Sequence, residues 1–229
     1  MLIIRKIFTI FTLFSLLILF SSCTNNLINP DGTDARGNLI DNNKGLLFAS
    51  LTTESKKNLF SKNYDSGSYF HVIHEKDFDE YDKPKFFSSI DTHTLSSHDY
   101  VLNGFKADIQ NFSNKGRLNV IALEPGNYAL VNWSLRSRNV TFTPKKFYHQ
   151  KFTIEQNKVT YIGNLHIETL YGSLLSITFP SGVNPNCSDN SEKDITLFQK
   201  DYVKFSSWPI SKQIVSCELT DTDGWELKH

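Results

Sequence analysis

At 229 residues the chain is long enough for one domain with attachments or two small ones, and 39% hydrophobic residues suffice to bury a core, which excludes wholesale disorder. Twenty-four basic residues balance 24 acidic ones, so the basic surplus of a nucleic-acid or polyanion binder is missing. Three cysteines are too few for a disulfide scaffold, while 18 Phe and 9 Tyr against one Met tilt the chain towards strands.

Residues 1–20 have the layout of an export signal. Arg5 and Lys6 form a positive start, and residues 7–20 an unbroken weakly polar or apolar run of 14, short of the ~20 residues of a bilayer-spanning helix. Ser21 and Ser22 stand directly before Cys23, and polar sequence begins at once. This junction resembles the lipobox of bacterial lipoproteins, in which the cysteine thiol is diacylated and the preceding peptide bond is cut. By that resemblance residues 1–22 are a lipoprotein signal peptide, Cys23 is the lipidation site, and acyl chains on Cys23 hold the protein to a membrane. The leucine usual three places before the cysteine is Phe20 here. Conventional secretory cleavage and an uncleaved membrane anchor stay open as alternatives. In lipoproteins of two-membrane bacteria an Asp after the cysteine tends to retain the protein in the inner membrane. Thr24 therefore implies an outer-membrane lipoprotein of the cell envelope, facing the periplasm or the surface. Removing Arg5 and Lys6 leaves 22 basic against 24 acidic residues, a net charge of −2 that offers no attraction to anionic lipid.

Residues 23–45 hold the lipidated cysteine and a stretch rich in Asn, Asp and Gly without apolar periodicity, expected to be a flexible tether. From residue 46 to 229, short β-rich runs recur between turn signals. Strands are expected over residues 46–51, 69–73, 86–90, 118–123, 128–135, 147–154, 159–167 and 172–179. Glu124-Pro125-Gly126-Asn127 suits a type II turn and predicts a hairpin between its flanking strands; Glu155-Gln156-Asn157-Lys158 repeats the plan. After Pro180 loop signals take over at Asn184-Pro185. Residues 192–202 then read as a helix, with Ile195, Phe198 and Tyr202 on one stripe and Ser191 or Asn190 as N-cap. A last strand is expected over residues 213–219, before a frayed tail with Gly224-Trp225. The spacing predicts a mainly β fold, an antiparallel β-sandwich with one late α-helix.

Leu123, Pro125, Gly126 and Tyr128, the strand Val159-Thr160-Tyr161-Ile162-Gly163 and the late helix resemble bacterial envelope lipoproteins of uncharacterised role. Those carry a transthyretin-like or carboxypeptidase-regulatory-like β-sandwich. The resemblance implies fold and brings no catalytic residues.

His71, His74, Glu75, His93 and His98 are the first candidates for chemistry. The spacing is not that of a helical metalloprotease motif, and at strand period two His71 and His74 face opposite sides, which prevents one ion from taking both. No metal and no cofactor is therefore expected. No G-x-S-x-G elbow and no phosphate-binding Gly-rich loop occurs. Asp77, Asp79, Glu80 and Asp82 lack the Gly and terminal Glu of a calcium loop and read as a solvated turn. Arg136, Arg138, Lys145 and Lys146 with Phe142, Phe147 and Tyr148 suit a glycan or protein partner, or simply guard a strand edge. In the oxidising envelope Cys187 and Cys217 are expected to form a structural disulfide stapling helix and last strand to the sandwich. The expected role is a non-enzymatic binding or assembly module with an envelope protein or glycan as partner and no nucleic acid. The alternatives are a metal-dependent envelope hydrolase using the histidines between His71 and His98, and a lipoprotein subunit of a secretion or envelope machine.

Overall fold

Alternation within a strand decides which side chains meet, and it is plainest in β1, Gly45–Glu54. Its odd positions Leu47, Ala49 and Leu51 join one buried cluster, and its even positions Leu46 and Phe48 join another. Both faces of the strand are covered, which is why its sequence is almost continuously apolar. The computed structural model describes residues 27–34, 36–54, 66–77, 92–96, 109–110, 114–137, 140–145, 149–174, 177–217 and 225–228. The strand expected over residues 86–90 lies outside them.

Among the described residues the fold is mainly β, two six-stranded sheets and one late helix. The first sheet runs in the order β10 (Ile177–Ser188), β9 (Val159–Leu174), β1, β5 (Asn114–Leu123), β4 (Ile109–Gln110), with the short β11 (Ile210–Lys212) also on β9. The second runs β12 (Trp225–Lys228), β7 (Val140–Pro144), β6 (Gly126–Ser137), β2 (Ser66–His74), β3 (Thr92–Ser96), with β8 (Gln150–Ile154) on β6. Leu47, Ile121 and Leu165 from the first sheet share a cluster with Phe70, Trp133 and Phe142 from the second. On the other face of the first sheet, helix α1 (Ser191–Asp201) and the turn behind it lay Phe198, Tyr202 and Phe205 against Phe48, Val120 and Tyr161.

The strand expectations hold better than the pairings. Every ladder of the second sheet is antiparallel, but β9 runs parallel to both β1 and β11, so the first sheet is mixed. Neither predicted hairpin forms. β5 is taken by β1, from Gly45 opposite Leu123 to Glu54 opposite Asn114, while β6 pairs with β2 in the other sheet. The segment between them is a corner from one sheet to the other, closed by Tyr128, whose hydroxyl donates to the Glu124 carbonyl at 3.0 Å. This is a tyrosine corner, which fixes the crossing where a hairpin would have needed a ladder. Residues 155–158 form a second crossing, from β8 to β9, with Asn157 in the left-handed region at φ 56°. Asn accepts that conformation at low cost because its side chain is short and polar.

Three C-terminal expectations change as well. The strand expected over residues 172–179 is the far end of a hairpin, with Gly172 opposite Phe179. The loop expected after Pro180 is the body of β10, which tolerates Pro180 and Pro185 because it is an edge strand and needs no N–H on its outer side. Of the strand expected over residues 213–219, residues 218–219 lie outside the described residues; over 213–217 the chain runs on from β11, which ends at Lys212, and follows β9 through Gln213 N–H to Tyr161 O and Val215 N–H to Ile162 O without forming a strand. The tail expected to fray pairs as β12, Trp225 to Lys228 against Pro144 to Thr141.

The described part of the expected tether, residues 27–34 and 36–45, is built into the fold. Leu27 bridges Ile121, and Ile28, 4% exposed, donates its N–H to Val120 O at 2.8 Å. Asp31 accepts the Thr33 N–H, and Asp34 those of Arg36 and Asn38. The composition that reads as a leash builds consecutive side-chain-closed turns instead. Gly32, at φ +80°, lets the turn pass beneath the Lys204 stem, where a Cβ would collide.

Candidate functional site

A row of polar side chains runs beneath α1 on the outer face of the first sheet. β1 presents Leu46, Phe48, Ser50 and Thr52 to that face, and the last two are hydroxyls where the first two are apolar. In α1 the buried positions Ser191, Asp194 and Phe198 repeat at steps of three and four. Asp194 thus arrives over Ser50 with 1% exposure.

Its Oδ2 accepts the Ser50 hydroxyl and, at 2.7 Å, the Tyr161 hydroxyl. Ser50 in turn accepts from Asn164 Nδ2 at 2.8 Å, and Asn164 Oδ1 accepts the Thr52 hydroxyl at 3.2 Å. Thr52 Oγ1 lies 2.9 Å from His166 Nδ1. Thr52 has one hydroxyl proton, so donating to Asn164 requires the His166 Nδ1–H to point at Thr52. Every donor then points towards Asp194, an arrangement in which each bond polarises the next. Burial, then the bond to Asp194, raises the Tyr161 phenol well above its ordinary range. At the start of α1, Asn190 makes no side-chain cap; Asp189 accepts the Ser191 N–H at 2.8 Å instead. The Ser191 hydroxyl first, and then that bond, hold the Asp189 carboxyl below its usual value. Lys212 donates to Ser191 Oγ at 2.6 Å, tying β11 to the same helix end.

Chemically the row is a clamp. Ser50 has no exposed surface, and His166 reaches it only through Thr52 and Asn164. A nucleophile would need both a partnered base and a path to solvent. Sequence reasoning passed over the row, although one signal was present: an Asp four residues before Phe198 on the apolar stripe, opposite a strand face carrying Ser and Thr.

The residues singled out from sequence scatter. Cys23, His98, Asp79, Glu80, Asp82, Arg138, Lys146, Phe147 and Tyr148 lie outside the described residues. Cys187 and Cys217 are joined, with Cα atoms 5.1 Å apart. Cys187 sits on β10 opposite Leu165, and Cys217 lies beyond β11 rather than in a strand. His71 and His74 face opposite sides of β2. His71 shares its side with Ile73, while His74 packs against Tyr128 with the rings tilted by 57° and their centres 4.7 Å apart, and accepts the Lys76 N–H. Burial drives His71 down to about 4, and His74 is lowered first by burial and then by the Lys76 charge. His93 stands on β3 opposite Val72. Among the described residues no three His, Cys, Asp or Glu converge as a metal site. Phe142, expected on a basic surface with Arg136 and Lys145, is instead wholly buried in the core.

No helix among the described residues is long and apolar enough to cross a membrane. No family model, curated protein or solved structure matches the chain.

Proposed function

We propose that the chain is an outer-membrane lipoprotein of a bacterial envelope, exported by residues 1–22 and acylated at Cys23. Its role is that of a non-enzymatic binding or assembly module for an envelope protein or glycan. The observation that carries this reading is the Ser21-Ser22-Cys23 junction after a positive start and a charge-free, largely apolar run of 14 residues. The paired cysteines fit an oxidising compartment. Two sheets joined through a tyrosine corner fit the β-sandwich of such lipoproteins.

The docking of Leu27 sharpens the reading. Four residue steps separate Cys23 from Leu27, at most about 14 Å when fully extended. The folded body therefore rides against the membrane that holds it, and partners in the same membrane lie within reach. The test is incorporation of labelled fatty acid into the native chain and into Cys23→Ala. Label is expected in the first and absent from the second, with the variant left unprocessed or soluble. Equal labelling of both would remove the lipoprotein assignment.

A further inference from the structure

From Thr169 to Ser188 the chain has 20 residues without a charge; after Asp31 the next longest such stretch is 11, residues 125–135. That shorter stretch is core, with Leu130, Val131, Trp133 and Leu135 fully buried. The longer one is core only at its base, where Thr169 and Val183 are buried. β1 accompanies β9 only as far as Ile167, and beyond it β9 and β10 continue as a two-stranded arm. Alternation from Asn164 and His166 puts Leu170, Gly172 and Leu174 on one face, with Phe179 opposite Gly172. Leu170 is 43% exposed, Leu174 66% and Phe179 43%. The Phe179 ring lies over Gly172, within 3.3 Å of where a Cβ would stand.

We infer that the tip of this arm docks on a lipid bilayer through Leu170, Leu174 and Phe179. Two observations select lipid over a protein partner. Protein interfaces surround their apolar centre with a polar rim, and here no charge occurs from Thr169 to Ser188, the nearest on β9 being Glu168 at the base of the arm. The three side chains also offer a few hundred Å² at most, against about 800 Å² per partner in a stable dimer. Partition into the headgroup boundary needs no such area, because each apolar side chain contributes by its own transfer. Strand addition to the arm is disfavoured, since Pro180 and Pro185 remove N–H groups from the edge strand. The contact rests on the proposed Cys23 anchor, because three side chains alone hold a chain to a bilayer only weakly. Leu27 lies beside Ile121, in the row of Leu47 and Thr160, about 14 residues or ~45 Å along β9 from the tip. Anchor and tip are thus two separate contacts that lay the strands along the membrane.

The test reconstitutes the full chain carrying Phe179→Trp into phosphatidylcholine vesicles with brominated acyl chains. The unsubstituted chain, with Trp133, Trp208 and Trp225, supplies the background. The added emission is expected to fall by about half or more relative to vesicles without bromine, since an interfacial side chain sits within reach of the acyl region. Leu174→Trp gives the same readout if the larger ring disturbs the seat on Gly172. Unquenched emission from a vesicle-bound chain overturns the arm contact and leaves the anchor standing. Flotation of Cys23→Ala as complete as that of the native chain overturns the anchor. A dimer in sedimentation that Leu174→Ser converts to monomer, with position 179 unquenched, assigns the patch to a second copy and also overturns the lipid contact.

Discussion

Removing the Asp194 carboxyl tests whether the polar row clamps α1 to the sheet. In Asp194→Ala the hydroxyls of Ser50 and Tyr161 lose their shared acceptor, and Ser50 and Asp194 have almost no exposed surface through which water could replace it. An unsatisfied buried donor costs about 1–3 kcal/mol, so two such donors predict a loss of about 2–6 kcal/mol. Asp194→Asn retains one acceptor oxygen and should cost about 1–2 kcal/mol on the same scale. Tyr161→Phe removes one donor and leaves Asp194 bonded to Ser50, so it should cost less than the alanine change. Replacing all three together, Ser50→Ala, Tyr161→Phe and Asp194→Leu, removes both sides of the bonds and should cost less than Asp194→Ala alone. Glu192→Ala is the control: Glu192 is exposed in the first turn, and losing its interaction with the helix dipole costs only about 0.3–1 kcal/mol. Urea unfolding followed by near-UV circular dichroism gives each difference from the shift of midpoint at constant slope. A loss below about 1 kcal/mol for Asp194→Ala would refute the clamp, since that is the cost of an ordinary exposed hydrogen bond.

Two further outcomes follow from the same structure. Reducing Cys187–Cys217 opens a loop with a sequence separation of 30, and chain entropy then predicts a loss of about 3–4 kcal/mol, read as a lowered urea midpoint with reductant present. An unchanged midpoint, or two free thiols by alkylation of the oxidised protein, would contradict this. His71 is neutral-favouring in the fold, lowered from 6.5 to about 4, so its contribution is full above 6.5 and is lost as pH falls from about 6.5 to about 4. The partial exposure of the ring limits the loss to about 2–3 kcal/mol. His71→Gln should flatten stability over that window, and an unaltered pH dependence in the variant would show that other groups carry it.

The strands were legible where side-chain alternation and turn residues coincide, as in residues 118–123 before Glu124-Pro125-Gly126. What local pattern cannot supply is the partner. A strand of the composition of β5 satisfies its backbone equally well beside β6 or beside β1, and the choice is made by which neighbour also buries its second face. Leu118, Val120 and Ala122 need α1 and its following turn above them, whereas Ile121 and Leu123 need the second sheet. Only a strand lying inside the first sheet meets both demands, so the turn became a corner. The same reasoning accounts for residues 27–41, where Asx turns and the apolar pair Leu27-Ile28 outweighed a composition typical of linkers.

The polar row was hidden for a related reason. Its members come from β1, β9 and α1, with separations of up to 144 residues between bonded partners. Each looks unremarkable alone: a Ser in an apolar strand, an Asn after Gly163, an Asp near a helix start. The Asp is the informative one, because a first-turn acid is ordinarily explained by the helix dipole and left in solvent. What separates Asp194 from Glu192 is its phase, four residues before Phe198 and eight before Tyr202, both buried. An acid in phase with a buried stripe must be met by donors or the helix cannot lie down. The sheet face beneath it carries Ser50, Asn164 and Tyr161, and those residues set where along the sheet α1 can rest, because a helix shifted by one turn, about 5.4 Å, would leave the carboxyl over Phe48. An apolar contact alone would tolerate such a slip; the carboxyl does not.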